Sequence, residues 1–340
     1  MRNADRPGAT FLRGLQLGLI VLVALAAPWP AASRAQTPSL DQILSAVVHL
    51  KTTINPDGRT VAALGPEREG SAIVIDNDGL ILTIGYLMVE AHAAEVVTNA
   101  GRAVPANVVG YDHETGFGLL RAIMPLGVRP LPLGRSAGLK VRDPVVIAGY
   151  GGRDRLAPAA VVSKRPFAGP WEYLLDEAIF TAPPDQDWSG AALIDHAGKL
   201  VGVGSLVVDD ASGRGDGPGN MFVPIDRLPP ILADLIADGR VSGPARPWIG
   251  VITRELAGRL IVAAVAADSP AEKAGLRHGD IIVGVAGAST SGMEDFYRKL
   301  YARGPAGVTI PLDVVQDGAH KRFDVKSMNR LDHLRLKSTY

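Results

Sequence analysis

The chain has 340 residues, enough for two domains, and its 47% hydrophobic content is enough to give each a core. Its 35 basic and 35 acidic side chains balance, which argues against nucleic acid or an anionic membrane surface as a partner. With no cysteine there is no disulfide scaffold, thiol nucleophile or cysteine-held metal, and 39 glycines with 25 prolines favour short strands joined by turns.

At the N-terminus, Arg2, Arg6 and Arg13 precede an apolar run over 17–27, which Pro28-Trp29-Pro30 breaks. Ala31-Ala32-Ser33-Arg34-Ala35 then supplies small residues where a signal peptidase reads. The run is shorter than the roughly 20 residues that span a bilayer. Residues 1–35 are therefore expected to be a secretory signal cleaved after Ala35, leaving a periplasmic or secreted chain with no stable membrane span.

From Ser45 to Pro224 short β-like runs alternate with turn signals. The first is 46–50. Runs at 72–75 and 80–83 flank Asp76-Asn77-Asp78-Gly79, a tight hairpin in which Gly79 can take positive φ. Runs at 95–98 and 104–111 follow, and then a second set at 144–149, 159–163, 172–182, 191–194 and 199–208. The turn Asp195-His196-Ala197-Gly198 repeats the chemistry of the first. Two sets at this spacing predict two antiparallel barrels. The glycine-rich stretch 209–220 reads as a surface loop.

A helix is expected over 226–239, with prolines near its start and Gly239 as its stop. Residues 240–247 form a polar linker, after which the pattern turns mixed: strands at 260–265 and 281–283, a helical turn at 271–274, and a hairpin of 308–315 with 320–325. Ser291-Gly292-Met293-Glu294 reads as a capping box opening a helix whose Met293, Phe296, Leu300 and Tyr301 share a face. A basic tail follows from 328 to 340.

Three stretches follow in order: Gly70-Ser71-Ala72 with Gly79-Leu80-Ile81-Leu82-Thr83, then Val109-Gly110-Tyr111-Asp112 through Thr115 to Leu119-Leu120-Arg121, and Trp188-Ser189-Gly190-Ala191-Ala192-Leu193 with Val201-Gly202-Val203. Together they resemble the trypsin-like domain of the HtrA/Deg protease family. Beyond them, Trp248-Ile249-Gly250-Val251, Ser269-Pro270-Ala271-Glu272-Lys273-Ala274-Gly275-Leu276 and Gly279-Asp280-Ile281-Ile282 resemble an HtrA-type PDZ domain. The resemblance implies a mainly β chain: a trypsin-like double antiparallel β-barrel (40–226), a connecting helix and linker (227–247) and a small α+β PDZ domain (248–327).

Laid residue by residue on this chain, the family's catalytic serine falls on Ser189. Its general-base histidine falls on Tyr86, and its aspartate on Gly116. The oxyanion-hole glycine two residues before the serine is Asp187. A phenol with an ordinary pKa near 10 is a donor at neutral pH, and a serine hydroxyl is a poor nucleophile until a base takes its proton. Among the histidines, His113 beside Asp112 is the nearest stand-in by position. No His or carboxylate spacing suits a metal, so neither metal nor cofactor is expected. Two functions follow: a pseudoprotease of the periplasm that binds unfolded or C-terminal peptides, or an active serine endopeptidase using Ser189 with an unconventional base. The resemblance implies that Trp248, Ile249, Gly250 and Val251 hold a peptide's C-terminal carboxylate. The groove is expected to lie near the barrels and be open to peptides. The family often trimerises, so a homo-oligomer is among the states the resemblance allows.

Overall fold

The computed structural model describes residues 39–336. The expected signal segment 1–35 and its cleavage site lie outside the described residues, as do 337–340.

Helix α1 (Leu40–Ser45) opens on a reciprocal cap between Ser39 and Gln42. It leads into β1 (Val47–Ile54), α2 (Val61–Leu64), β2 (Glu67–Val74), β3 (Leu80–Ile84), β4 (Ala91–Val97), β5 (Ala103–Tyr111) and β6 (Phe117–Ala122). These six strands close into a barrel in the order β1-β2-β3-β6-β5-β4. The turn before β3 works as its residues dictate. Asp76 accepts from the Asp78 and Leu80 amides at 2.9 and 2.7 Å, and Gly79 takes φ +76°. Asp195 does the same for Ala197 and Lys199, both at 2.9 Å.

The second barrel joins β7 (Pro144–Ala148), β8 (Leu156–Gly169), β9 (Tyr173–Ala182), β10 (Ala192–Ile194), β11 (Leu200–Val208) and β12 (Gly219–Pro224), in the order β10-β11-β12-β9-β8-β7. Strand β8 is far longer than the expected 159–163. Its extension, Lys164 to Gly169, interrupted by Pro166, is held by pairing with β9 as far as Gly169 opposite Tyr173. The end of the expected loop 209–220 is taken into β12, where Asn220 pairs with Thr181.

Helix α3 (Pro229–Asp238) starts on prolines and stops at Gly239, at φ +72°. The second domain then forms a sheet of β13 (Val251–Leu256), β14 (Arg259–Val265), β15 (Ile281–Val285), β16 (Ala288–Ser289), β17 (Thr309–Gln316) and β18 (Ala319–Lys326), with α4 (Pro270–Ala274) and α5 (Met293–Tyr301). The expected capping box is replaced. Gly292 is the N-cap residue, Ser291 donates to Asp295, and the Glu255 carboxylate of β13 takes the Met293 amide. Tyr297, absent from the expected apolar face, is fully buried beside Phe296 and Leu300. Within the stretch read as a tail, α6 (Arg330–His333) packs back on the chain, and the Arg335 amide bonds Glu90 at 2.7 Å.

The second domain is not merely tethered to the barrels. Leu174, on β9, is buried in the core formed by Ile249, Val262, Phe296, Tyr297 and Leu312. Ion pairs Arg59–Asp268 (2.6 Å) and Arg298–Asp176 (3.1 Å) also join the two domains.

Candidate functional site

Ser189 stands within a tight turn before β10, closed by the Ala191 amide on the Trp188 carbonyl at 3.1 Å. The turn depends on Gly190, whose φ is +71° and where a Cβ would lie 2.0 Å from the Ser71 carbonyl. The Ser71 amide fixes the Ser189 carbonyl at 2.8 Å. Tyr86 sits on the single 3₁₀ turn 85–87 that follows β3. Its hydroxyl lies 2.9 Å from Ser189 Oγ and 3.0 Å from the Ser205 carbonyl. A carbonyl only accepts, so the one phenolic proton goes to Ser205, and Ser189 donates to Tyr86. Burial pushes the phenol above its ordinary 10.0, partly offset by the Ser189 contact.

Gly116 enters β6 at φ +81°, and its carbonyl accepts from the Gly85 amide at 2.7 Å, directly beside Tyr86. A Cβ here would meet the Tyr173 hydroxyl at 3.3 Å and Ile84 at 3.4 Å. The nearby carboxylate of Asp112 is taken up by the Thr115 amide and hydroxyl, at 2.8 and 2.7 Å. At Asp187 the backbone N–H donates to the Asp185 carboxylate at 2.7 Å, and the side chain pairs with Arg155 at 2.7 Å. The amide that the resemblance assigns to an oxyanion hole is thus bonded within the turn.

No imidazole enters the hydrogen bonds of Ser189 among the described residues. His49 stacks on Tyr150 with ring centroids 3.8 Å apart. His92 lies exposed on β4, and His196 is exposed at its hairpin tip. The stand-in by position, His113, is engaged elsewhere: with Tyr111, the Glu172 carbonyl (3.2 Å) and Arg330 (3.0 Å). Burial and Arg330 hold its pKa well below the ordinary 6.5.

The loop expected to hold a peptide carboxylate holds one already. Glu172, in the turn between β8 and β9, accepts from the Ile249, Gly250 and Val251 amides at 2.9, 2.6 and 2.8 Å. Gly250 makes this possible at φ +93°, pressed so close to Ser269 that a Cβ would lie 2.2 Å from its Cβ. Trp248 does not donate to the carboxylate; its backbone pairs with Met328 on both sides at 2.9 Å. The groove is therefore filled rather than open. Burial pushes Glu172 up to about 7, against the loop amides and Arg330, which pull it down. Sequence reading missed this residue, since nothing in its spacing links position 172 to 249–251.

Two closed six-stranded barrels with a serine at their turn, followed by a peptide-loop domain, define a trypsin-fold chain of the serine-protease type carrying a PDZ module. Family models agree: residues 70–203 match the trypsin-like peptidase domain and residues 261–314 the PDZ domain. The protein named "Probable periplasmic serine endoprotease DegP-like" of Ectopseudomonas mendocina is 28% identical over 286 residues, covering 80% of this chain and 58% of its own length. Its namesake in Rhizobium meliloti is 26% identical, covering 77% of this chain and 54% of its own length. The chain thus spans little more than half of these curated relatives. A solved variant of the HtrA-type protease AlgW with a tripeptide shares the fold, at 21% identity and a TM-score of 0.50, covering 88% of this chain and 98% of that one. The trypsin-like and PDZ matches together with these relatives support a chain of the HtrA/Deg type.

Proposed function

We propose that this protein is a proteolytically inactive HtrA/Deg member of the periplasm, which engages unfolded or C-terminal peptides without cutting them. The observation that carries the reading is the group beside Ser189. It is a buried, protonated phenol, which can accept the serine's hydrogen bond but is too weak a base to take its proton. The Asp187 amide bonded to Asp185 adds to it, because an oxyanion would find one of its donors occupied. The periplasmic names of the relatives support the location. An endopeptidase with an unconventional base needs an imidazole or carboxylate on Ser189, and neither is among its contacts.

A casein-degradation assay of the chain lacking residues 1–35, beside its Ser189→Ala variant, tests the proposal. Equal background rates are expected. A wild-type rate that the substitution abolishes would sink it.

A further inference from the structure

The segment Gly169–Glu172 lies on the PDZ domain as a bound peptide would. The Glu172 carboxylate sits on the loop amides, and the Pro170 carbonyl accepts from the Thr253 amide at 2.9 Å, a backbone bond to the edge strand β13, where an added peptide strand would pair. The neighbouring carbonyls are held too. Gly169 accepts from the Tyr297 hydroxyl at 2.9 Å, Trp171 from Arg330 at 2.8 Å, and Glu172 from the Tyr301 hydroxyl at 3.0 Å. Four consecutive carbonyls and one carboxylate thus find donors on the second domain and its C-terminal extension. The gap left between this turn and Arg246, Trp248 and Tyr301 is about 10 Å³, barely one water. The three loop amides are all taken by Glu172, so a second carboxylate finds no free donor among them.

We infer that the PDZ groove is intramolecularly ligated: the β8–β9 turn is its resident ligand, Glu172 stands in for a terminal carboxylate, and an external C-terminal peptide enters only by displacing it. Three physical facts support this. The loop supplies charge-assisted bonds from backbone N–H groups, which favour any carboxylate delivered to them. The internal carboxylate is delivered at no translational cost, because it is part of the same chain. Leu174, the second residue of β9, is buried in the PDZ core, so releasing the turn uncovers apolar surface as well as amides. Access to the groove is thereby coupled to the second barrel, since β9 pairs with β8 and β12.

The inference rests on the PDZ reading of residues 248–327 but not on whether Ser189 is active. Its test therefore reads binding and protection, never cleavage. The chain lacking residues 1–35 is compared with its Glu172→Ala variant in two measurements. The first is amide hydrogen exchange at 249–251. The second is anisotropy of a fluorescent decapeptide pool, random except for a C-terminal Val, Leu or Phe, prepared as free acid and as amide. Protected amides are expected in wild type and exchanging ones in the variant. The free-acid pool should bind the variant at least about tenfold more tightly, as the closed fraction no longer reduces the apparent affinity, and the amide pool should bind neither. Should Glu172→Ala fail to fold, Glu172→Gln preserves the side-chain volume and weakens the same bonds by removing the charge. Freely exchanging loop amides in wild type would overturn the inference. So would equal affinity of wild type and variant for the free-acid pool, or no binding by either.

Discussion

The Tyr86 hydroxyl lies 2.9 Å from Ser189 Oγ and donates its proton to the Ser205 carbonyl. The phenol thus ties the two halves of the cleft together, bridging the turn after β3 to the serine turn and β11. It is a structural pin in the place where a base would stand.

Tyr86→Phe removes that pin and leaves the Ser205 carbonyl and the Ser189 hydroxyl without their partner. A buried polar group stripped of its bond costs about 1–3 kcal/mol. Urea unfolding should show a loss in that range, with casein turnover unchanged at background. A variant as stable as wild type would mean that water replaces the phenol freely.

Restoring the triad should take more than the triad. Tyr86→His and Gly116→Asp supply base and orienter, but the aspartate must accept the φ of +81° at Gly116, a strain of about 1–3 kcal/mol. Adding Asp187→Gly leaves the amide at 187 bonded to Asp185. Asp185→Ala frees it, and one oxyanion donor is worth about 10²- to 10³-fold in rate. The quadruple variant should therefore cleave casein about 10²-fold faster than the triple. Equal rates would show that the Asp185 contact does not hold the hole closed.

Two buried groups at the domain contact titrate with opposite sign. Glu172 is raised from 4.5 to about 7, so the folded chain binds its proton more readily; the stability it contributes is full below 4.5 and lost as pH rises through about 7. His113 is lowered from 6.5, so its contribution is full above 6.5 and lost as pH falls toward its lower folded value. Arg330 and Arg246 face this pair, together with Tyr297 and Tyr301. Between pH 4.5 and 6.5 the two contributions oppose. Glu172→Gln should leave a stability that rises with pH over that window, and His113→Gln one that falls. Urea midpoints across the window decide it; wild-type slopes in both variants would contradict the assignment.

Leu174→Ala tests whether one barrel strand completes the PDZ core. Leu174 is only 4% exposed within that core. Truncating a buried leucine costs about 2–5 kcal/mol, and here the loss should fall on the domain contact. Limited trypsin digestion within the linker 240–247 should accelerate in the variant. Unchanged cleavage there would place the energy of docking elsewhere.

The two barrels and the PDZ sheet were legible because their strands carry local signals: apolar runs, Asx-glycine turns and a glycine-stopped helix. The hairpin at Asp317-Gly318 takes φ of +55° and +79°, as its residues demand. The pairing of Tyr86 with Ser189 was legible from motif positions alone. What escaped was set by distant partners. The extension of β8 to Gly169 exists because β9 holds it, and Tyr297 is buried because the turn it bonds, Gly169 to Glu172, lies over it. Glu172 has no neighbour in sequence that announces a ligand for 249–251.

The proteolytic state of the cleft depends on whether Ser189 is activated, and a serine-directed probe reads that without a substrate. The chain lacking residues 1–35 is incubated with diisopropyl fluorophosphate, with trypsin and the Ser189→Ala variant in parallel, and intact mass is measured. An unactivated hydroxyl hydrogen-bonded to a phenol should give no adduct while trypsin is fully labelled. Stoichiometric labelling that Ser189→Ala abolishes would contradict it.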